Sequence, residues 1–332
     1  MMRLPKMEHV APRTLQEACG LLEEHGQNAE ILAGGTDLIV ACKLGNVKPA
    51  LLVSLSGIAE LKGIRLNEKG GIGIGAMTAL KNVKDHPDIR QHYPAVAQAA
   101  GLVAATQLQY MGSLGGNLCL DTRCIYYNQS HSWRKTRDVC IKMGGDVCHV
   151  VAKGKSCYAV FSADTAPALM AHEAQVRLTS RQGERVIPVA ALYSGDGKKP
   201  LTLKANEILT EIMLPPVRKN TKSIYLKYRV RSAIDFPLAG VAVAGTLSES
   251  GHFADGRIII NAVGSGPLEC LAAEELINGR SLEAVLIGQA AEKAAGTAHP
   301  VANVIGAGPG YRRKMIGVLT RRALMSFTNV PD

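Results

Sequence analysis

The stretch AEILAGGTDLIVACKLG, residues 29–45, decides the fold, because an apolar strand pattern passes into a helix pattern through two adjacent glycines. It predicts a strand over 29–33, a tight turn at Gly34 and Gly35, and a helix that stops at Gly45. Glycines let a backbone approach a ligand closely, and the start of a helix offers unpaired N–H groups to an anion. The stretch therefore predicts an α/β unit with a candidate anion-binding turn.

Two residues can cap the start of this helix, Thr36 and Asp37, since both carry short polar side chains. A second glycine turn, GSLGGN, follows at residues 112–117. Neither turn matches the G-x-G-x-x-G dinucleotide motif or the G-x-x-x-x-G-K-[ST] P-loop motif. Each turn alone is more often a simple tight turn, but two in one domain indicate a pair of clamps on a pyrophosphate.

The flanking sequence continues the α/β pattern. Upstream, the capping box TLQE at 14–17 predicts a short helix that ends at Gly26. Downstream, LLVSL and GIGIGA predict strands, and residues 93–108 predict an apolar helix. Further on, SADTAPALMAHEAQVRL predicts a helix and then a strand, QVRLTSRQGERVIPV predicts a hairpin with its turn at 182–183, and EILTEIMLPP predicts a strand that closes the sheet.

A proline-containing linker at 215–220 separates this part from the rest of the chain. Beyond it, YLKYRV, LAGVAVAGTL and RIIINAV predict strands, and residues 281–295 and 309–327 predict two helices. The sequence therefore predicts a smaller α+β domain over 222–332.

Composition limits the class of protein. The chain has 332 residues, of which 47% are apolar, 20% charged and 4% aromatic, so we expect a largely aliphatic globular core. The start MMRLPKMEHV lacks an apolar signal region, and PLAGVAVAGTL is too short to cross a bilayer. A soluble cytoplasmic protein with no membrane segment is expected. The net charge of +10 is spread along the chain, which argues against a nucleic-acid surface.

Five of the eight cysteines lie in one segment: Cys119, Cys124, Cys140, Cys148 and Cys157. In a reducing compartment, clustered thiols favour a metal over disulfides. Zinc accepts four thiolates, but its sites usually show short C-x2–4-C pairs, and the C-x2-C-x2-C spacing of ferredoxins is also missing here. The spacing alone leaves an iron–sulfur cluster, zinc and structural thiols open. The other cysteines, Cys19, Cys42 and Cys270, have apolar neighbours and are expected in the core.

Basic residues surround these cysteines: Lys135, Arg137, Lys142, Lys153 and Lys155. Positive charge favours the reduced, more negative state of a cluster and steers an acidic electron donor. The other interpretation is a solubilising loop surface. His131 and His149 can ligate metals, but we expect exposed loop histidines.

The ordered motifs ILAGGTDL, IGAMT, GSLGGNL, SADTAPALM and LKYRVRSAIDFPLAGVAVA together resemble the FAD-binding subunits of the molybdenum hydroxylases, the family of xanthine and carbon monoxide dehydrogenases. The resemblance covers nearly the whole chain. It implies a mixed α/β (α+β) fold, with a two-part FAD-binding domain over 1–218 and a small α+β C-terminal domain over 222–332. This division agrees with the segmentation above.

An inserted cysteine-rich segment, residues 119–158, separates the second glycine turn from the aspartate motif, whereas most family members pass directly between them. In this it is similar to the beta subunit of 4-hydroxybenzoyl-CoA reductase, whose insertion carries a 4Fe–4S cluster. The resemblance implies four metal ligands, Cys124, Cys140, Cys148 and Cys157. It leaves Cys119 outside the set.

The resemblance also implies the FAD-binding residues. The first clamp on the pyrophosphate would be Ile31, Leu32, Ala33, Gly34, Gly35, Thr36, Asp37 and Leu38. The second clamp would be Ser113, Leu114, Gly115, Gly116 and Asn117. Asp164 would accept hydrogen bonds from FAD hydroxyls, Leu209 would pack against the flavin, and Lys227 would place a positive charge nearby. Without the resemblance, these three would be a capping aspartate, a core leucine and a strand lysine. Gln109 stands where many relatives have an arginine.

The function implied is that of an electron-transfer subunit with no catalytic residue of its own. Reduced ferredoxin would supply electrons to the 4Fe–4S cluster, and FAD would pass them to the 2Fe–2S clusters of a small subunit and to molybdenum in a molybdopterin-binding large subunit. There, 4-hydroxybenzoyl-CoA would be dehydroxylated to benzoyl-CoA in aromatic compound degradation. A dimer of heterotrimers follows from the same resemblance. The alternative is the FAD subunit of another molybdenum hydroxylase, whose cysteine loop binds a structural metal.

Overall fold

The computed structural model describes residues 3–67, 70–249 and 251–328. The outermost residues of the two predicted domains, 1–2 and 329–332, lie outside the described part of the chain. Three β-sheets with associated helices build a mixed α/β molecule, which agrees with the predicted fold class.

The first sheet is parallel, with the strand order β1-β3-β2. Its strands and helices are β1 (Glu8–Val10), α1 (Leu15–His25), β2 (Ala29–Leu32), α2 (Leu38–Leu44) and β3 (Leu51–Ser54). As the capping box predicts, the Thr14 hydroxyl caps α1 by accepting a hydrogen bond from the Glu17 N–H at 3.2 Å. Gly45 ends α2 in the left-handed conformation, also as predicted.

The second sheet is antiparallel, with the order β4-β5-β8-β6-β7. Its strands are β4 (Ile64–Leu66), β5 (Ile72–Gly75), β6 (Gln175–Ser180), β7 (Gly183–Pro188) and β8 (Ile208–Leu214). The prediction that EILTEIMLPP closes the sheet is wrong, because β8 pairs with β5 on one side and β6 on the other. Buried residues at most of its positions suit a central strand. The β6–β7 turn lies at 181–182, one residue before the predicted place.

Short helices pack beside this sheet and extend into the inserted segment: α3 (Leu80–Asp85), α4 (Pro87–His92), α5 (Pro94–Leu102), α6 (Thr106–Met111), α7 (Leu114–Leu118), α8 (His131–Arg134) and α9 (Thr165–Ala171). The predicted single helix over 93–108 is wrong, because the chain breaks after α5 at Ala104, whose φ is 46°. The Gln109 amide donates to the carbonyls of Gly101 at 2.9 Å and Val103 at 2.7 Å. Gln109 thus satisfies carbonyls that the end of α5 leaves free.

The third sheet is antiparallel, with the order β12-β11-β10-β9 and β13 beside β11. Its strands and helices are β9 (Thr221–Tyr228), β10 (Ala239–Leu247), β11 (His252–Asn261), β12 (Leu268–Glu269), α10 (Leu271–Ile277), β13 (Arg280–Ser281), α11 (Ala284–Thr297) and α12 (Pro309–Met325). The sequence predicted the long strands and the last two helices but missed α10. Among the described helices, none is long and apolar enough to cross a membrane.

Strand β10 is buried on both faces. Val241 and Val243 belong to the core under α10, α11 and α12, whereas Ala242 and Ala244 join the core of the second sheet. Successive strand residues point to opposite faces, so this alternation explains the continuous apolar run of the strand. The C-terminal sheet therefore contributes directly to the N-terminal core.

The inserted segment has little regular structure. Within its described residues, α8 and a 3-10 turn at Ile141–Met143 are the helical parts. Its base is closed by a β-bridge in which Arg123 and Val160 exchange N–H···O bonds of 2.8 and 2.7 Å. A segment this long without strands depends on contacts with the rest of the molecule for its shape.

Candidate functional site

The first glycine turn presents unpaired backbone donors. Across the described residues, the N–H groups of Gly34, Gly35, Thr36 and Asp37 have no hydrogen-bond acceptor in the protein. Gly35 has a φ of 71°, in the left-handed region that favours glycine. Successive free N–H groups before α2 form a concave nest that suits an anion such as a pyrophosphate.

The same turn touches the second glycine turn. A Cβ on Gly34 would lie 1.9 Å from the Met111 carbonyl oxygen and 3.1 Å from the Gly112 Cα, which leads into the second turn. A Cβ on Gly116 would lie 3.4 Å from the Cβ of Ala33. The fold therefore brings the two predicted clamps into direct contact.

The second turn differs because its backbone donors are largely used inside the protein. The Ser113 hydroxyl accepts the Gly116 N–H at 3.1 Å, and Gly115 donates to the Ala76 carbonyl at 2.8 Å. A Cβ on Gly115 would lie 2.7 Å from the Ala76 side chain, and Leu114 is fully buried. Only Gly116 of these residues is exposed, so this turn offers a ligand a small exposed backbone surface.

The flanks of the first clamp are part of regular elements. Ile31 and Leu32 lie in β2, and Leu38 is the first residue of α2. Asp37 occupies the N-cap position, but its side chain makes no capping bond and instead pairs with Arg123 at 3.2 Å. Burial raises the pKa of Asp37, and the Arg123 guanidinium opposes that rise. The predicted side-chain cap is therefore wrong, because the Asp37 carboxylate pairs with the Arg123 guanidinium instead of with the helix N–H groups.

The aspartate motif is tied to the second turn. The Asn117 side-chain oxygen accepts hydrogen bonds from the Thr165 hydroxyl at 2.6 Å and the Thr165 N–H at 3.2 Å. Thr165 begins α9 directly after Asp164. The structure therefore brings Asp164 close to the second clamp.

Asp164 forms a buried ion pair with Lys227 at 2.8 Å. The Tyr225 hydroxyl donates to the other carboxylate oxygen at 2.8 Å, and the Lys227 ammonium also donates to the Leu102 carbonyl at 2.9 Å. Burial raises the pKa of Asp164, and the Lys227 ammonium opposes that rise. Each carboxylate oxygen has a second lone pair, so Asp164 can still accept another hydrogen bond.

Sequence reasoning missed Tyr225, although a signal existed. Tyr225 and Lys227 stand two residues apart in β9, so their side chains share one face of the strand. The predicted Leu209 lies in β8, is 5% exposed and pairs with Leu178 in the sheet. Helix α7, which holds the second clamp, packs against β8.

These residues fit FAD. The free N–H nest of the first turn suits its pyrophosphate, and the buried carboxylate of Asp164 suits an acceptor role toward hydroxyls. Gly34 leaves no space for a side chain between the turns, so the two backbones lie in close contact there.

Cys124 lies in a tight local network at the start of the inserted segment. Its N–H donates to the Asn128 side chain at 2.8 Å, and its carbonyl accepts the Asn128 N–H at 2.9 Å. Burial raises the pKa of the Cys124 thiol, and the N–H groups of Tyr126 and Tyr127 lower it. Such N–H groups directed at sulfur suit a thiolate ligand.

Cys157 lies at the other end of the segment. Burial raises the pKa of its thiol, whereas the Ala159 N–H and the Lys142 ammonium lower it. Lys142 does not fit the alternative of a solubilising loop surface, because its side chain is 5% exposed and pairs with Asp121 at 2.8 Å. A Cβ on Gly197 would lie 2.6 Å from the Cys157 carbonyl oxygen, so this peptide is also packed tightly.

The four predicted ligands are neighbours. Cys140 and Cys148 each raise the pKa of Cys124, and Cys124 and Cys140 each raise that of Cys157. Cys119 instead packs against the core beside Tyr193, and burial raises its thiol pKa to about 12. The fold thus separates Cys119 from the other four.

The insert cysteines do not form a preorganised metal site among the described side chains. Within the described residues, no set of three or more Cys, His, Asp or Glu side chains is close enough to hold a single metal ion. Four thiolates around one zinc would stand only about 3.8 Å apart, given Zn–S bonds of about 2.3 Å. The set of four cysteine ligands implied by the resemblance therefore stays a prediction.

The inserted segment is anchored on α2, the helix that follows the first glycine turn. The Arg134 guanidinium donates to the carbonyls of Leu44 at 3.0 Å and Tyr127 at 3.2 Å. The Cβ of His131 would lie 3.4 Å from a Cβ on Gly45. Together with the Arg123–Asp37 pair, these contacts place the cysteine group beside the glycine-turn unit.

An aromatic stack covers part of the segment. The Tyr126 ring lies 5.1 Å from His149 and 5.9 Å from Trp133, and the Arg137 guanidinium lies over Trp133 at 3.7 Å. A His149 ring nitrogen lies 2.9 Å from the Asp138 carbonyl oxygen. His131 is exposed, as expected, whereas His149 is half-buried and engaged in stacking and hydrogen bonding, so the expectation of an exposed His149 is wrong.

Comparisons with known proteins agree with this geometry. Residues 5–217 match the family model for the FAD binding domain in molybdopterin dehydrogenase, and residues 224–327 match the CO dehydrogenase flavoprotein C-terminal domain.

Three relatives illustrate the similarity. The xanthine dehydrogenase FAD-binding subunit of Escherichia coli O157:H7 is 28% identical, covering 82% of this chain and 81% of its own. The nicotinate dehydrogenase FAD-subunit of Eubacterium barkeri is 27% identical, covering 83% and 80%. A carbon monoxide dehydrogenase structure from Hydrogenophaga pseudoflava aligns with a TM-score of 0.80, 27% identity and 97% of each chain.

Proposed function

Because this chain belongs to the family of FAD-binding domains of molybdopterin dehydrogenases, we propose that it is the FAD- and 4Fe–4S-carrying subunit of a 4-hydroxybenzoyl-CoA reductase. Binding of FAD and membership of a molybdenum–flavin oxidoreductase complex follow from the family. The cluster, the donor and the substrate are the finer parts of the proposal.

The grouping of four insert cysteines on an FAD-binding scaffold carries the proposal. The bridges Arg123–Val160 and Cys140–Val147 bring Cys124 near Cys157 and Cys140 near Cys148, while Cys119 packs against the core. Four thiolates are the ligand set that a 4Fe–4S cluster requires. We assign these four thiolates as the ligands of a 4Fe–4S cluster, which would exchange single electrons.

The FAD site uses this chain to bind and orient the cofactor. The nest of Gly34–Asp37 would hold the pyrophosphate, with Gly116 closing on it from the second turn. Asp164 would accept a hydrogen bond from an FAD hydroxyl, its carboxylate paired with the Lys227 ammonium, and Leu209 would pack near the flavin. Bound FAD exchanges one or two electrons and therefore connects one-electron clusters to two-electron chemistry.

The exposed basic residues of the insert would face an acidic electron donor. Lys135, Arg137, Lys153 and Lys155 are exposed, and so are the apolar side chains of Val139 and Val147 in the same segment. Reduced ferredoxin is the proposed donor, because positive charge steers an acidic protein toward the cluster. Electrons would then flow inward, toward molybdenum.

The partners are proposed from the relatives, which are subunits of dehydrogenases. A molybdopterin-binding large subunit would carry the substrate chemistry on the aromatic thioester, and a small subunit would carry 2Fe–2S clusters. A cytoplasmic dimer of heterotrimers is proposed, with this chain divided into an FAD domain over 1–218, an insert over 119–158 and a C-terminal domain over 222–332.

Metal and electron-donor assays test the proposal together. The purified complex should contain about four iron and four sulfide per copy of this chain beyond those of the 2Fe–2S clusters, and it should accept electrons from reduced ferredoxin. NADH as the sole effective donor, combined with no iron in this chain, would contradict it.

A second candidate is a dehydrogenase FAD subunit whose cysteine loop binds a structural metal. The xanthine and nicotinate dehydrogenase relatives favour it. Zinc in the isolated chain, with no EPR signal after reduction, would support this candidate and exclude the cluster.

A further inference from the structure

Arg312, near the start of α12, is a charged side chain with no exposed surface. Its guanidinium donates to the carbonyls of Leu238 at 3.0 Å and Val301 at 2.9 Å, to the Asn303 side-chain oxygen at 3.1 Å, and to the Ala262 carbonyl. These acceptors are neutral, and burial lowers the pKa of Arg312 to about 10. Burying a guanidinium without a carboxylate partner opposes folding. The question is therefore what Arg312 achieves by holding the Val301 and Asn303 groups in place.

Asn303, which Arg312 holds, reaches both ends of the inserted segment. Its carbonyl accepts the Ile125 N–H at 2.9 Å, and its side-chain amide donates to the Tyr158 carbonyl. Ile125 directly follows Cys124, and Tyr158 directly follows Cys157. A single buried residue of the C-terminal part of the chain thus fixes the peptide groups next to both outer cysteines.

We infer that Asn303 is a positioning residue for the cysteine group and that it sets the separation of Cys124 and Cys157. The inference rests on the proposed function, since it assumes that these thiolates hold a cluster. The insert has little regular structure, so the spacing of its ends depends on the Arg123–Val160 bridge at its base and on outside contacts, two of which come from Asn303. Residues that orient metal ligands in this way tune metal retention without touching the metal.

Arg312 explains how Asn303 can act as a rigid bracket. The same guanidinium nitrogen binds the Asn303 side-chain oxygen and the Val301 carbonyl, so the side chain and its loop are fixed together. With its oxygen held, the amide group has one orientation left for its N–H donors. That orientation points one donor at the Tyr158 carbonyl.

Asn261 provides a matched control. It is also fully buried in the C-terminal sheet, and its side-chain amide donates to the Ala163 carbonyl of the N-terminal part at 2.7 Å. Its bond has the same chemistry but ends next to the aspartate motif instead of the cysteines. Loss of either amide leaves one buried carbonyl without its donor, so both variants should lose thermal stability.

The test compares Asn303→Ala with Asn261→Ala in the purified complex. Asn303→Ala should release iron to a chelator about tenfold faster and change the EPR line shape of the reduced cluster while retaining FAD. Asn261→Ala should lose thermal stability but release iron at the wild-type rate. Wild-type iron release and an unchanged EPR spectrum in Asn303→Ala would overturn the inference, even if its stability fell.

A second variant covers the case in which Asn303→Ala does not fold. Asn303→Asp keeps an oxygen for Arg312 but loses the donor to Tyr158, so it should fold and still release iron faster. A wild-type release rate in this folded variant would also overturn the inference. A wild-type complex with no cluster in this chain would refute the proposed function itself, and the inference with it.

Discussion

The glycine-turn region and the cysteine insert differ in the groups with which they would bind a cofactor and in how those groups are held in place. The first turn offers free backbone N–H groups fixed between β2 and α2, with regular structure on both sides. The insert offers side-chain thiols on a loop whose shape depends on bonds to α2, to Asn303 and to its own base. The difference implies that damage to the backbone packing of the glycine turns should affect FAD, whereas damage to cysteine side chains of the insert should affect the proposed cluster.

The largest expected effect distinguishes a cysteine of the proposed ligand group, Cys148, from Cys119, which lies outside it. Cys148→Ser removes one of four proposed ligands and should abolish the 4Fe–4S EPR signal and lower iron by about four per chain, because each iron needs a thiolate. FAD should remain bound.

Cys119→Ser is the matched control, since Cys119 lies outside the group. It should keep both iron and FAD. An intact 4Fe–4S EPR signal in Cys148→Ser would show that Cys148 is no more a ligand than Cys119 is.

The second largest effect is expected at the buried Asp164–Lys227 ion pair, which lies close to the second glycine turn. Asp164→Asn leaves the Lys227 ammonium buried without its partner, so the free energy of unfolding should fall by about 3 to 5 kcal/mol, with loss of FAD. Denaturant unfolding and flavin absorbance measure both changes.

Asp85→Asn breaks a similar aspartate–lysine pair at the surface, with Lys81. Its unfolding free energy should change by less than about 1 kcal/mol. Equal losses in the two variants would show that burial of the Asp164–Lys227 pair has no energetic consequence.

A third variant tests the contact between the two glycine turns. Gly34→Ala places a Cβ 1.9 Å from the Met111 carbonyl oxygen, so the turns must separate at a cost of about 1 to 3 kcal/mol. FAD should dissociate at least tenfold more readily in a fluorescence titration, while iron content stays unchanged.

Gly20→Ala, in α1, is its control because nothing lies within 4 Å of the added Cβ. Stability should rise by about 0.5 to 1 kcal/mol there, with normal FAD affinity. Wild-type FAD affinity in Gly34→Ala would show that FAD binding does not require contact between the two glycine turns.

The smallest expected effect concerns the attachment of the insert to α2. Arg134→Ala removes bonds to the Leu44 and Tyr127 carbonyls and should favour local opening of the insert by about 1.5 kcal/mol. Limited proteolysis should then cleave within 119–158 about tenfold faster, without change in the flavin spectrum.

Lys135→Ala alters the neighbouring exposed residue and should leave the cleavage rate unchanged. Unchanged cleavage in Arg134→Ala would place the anchoring of the insert elsewhere, for example at Asn303.

Local patterns were enough to predict many elements. The capping box at Thr14, the stop at Gly45 and the long strands β9 to β11 depend on neighbouring residues, so the sequence revealed them directly. The split after α5 was not predicted, because it depends on the left-handed Ala104 and on the Gln109 side chain folding back. The central place of β8 was likewise hidden, since strand order depends on distant pairing.

The sequence by itself determined which chemical groups are present: two glycine turns, a buried-type aspartate motif and a segment rich in thiols. Only the tertiary structure decided their relations. It brought Gly34 against Met111, paired Asp164 with Lys227 and set Cys119 apart from the four other cysteines. Hydrogen bonds and steric contacts between residues far apart in the chain carry no local periodicity, and for that reason the sequence pattern did not contain them.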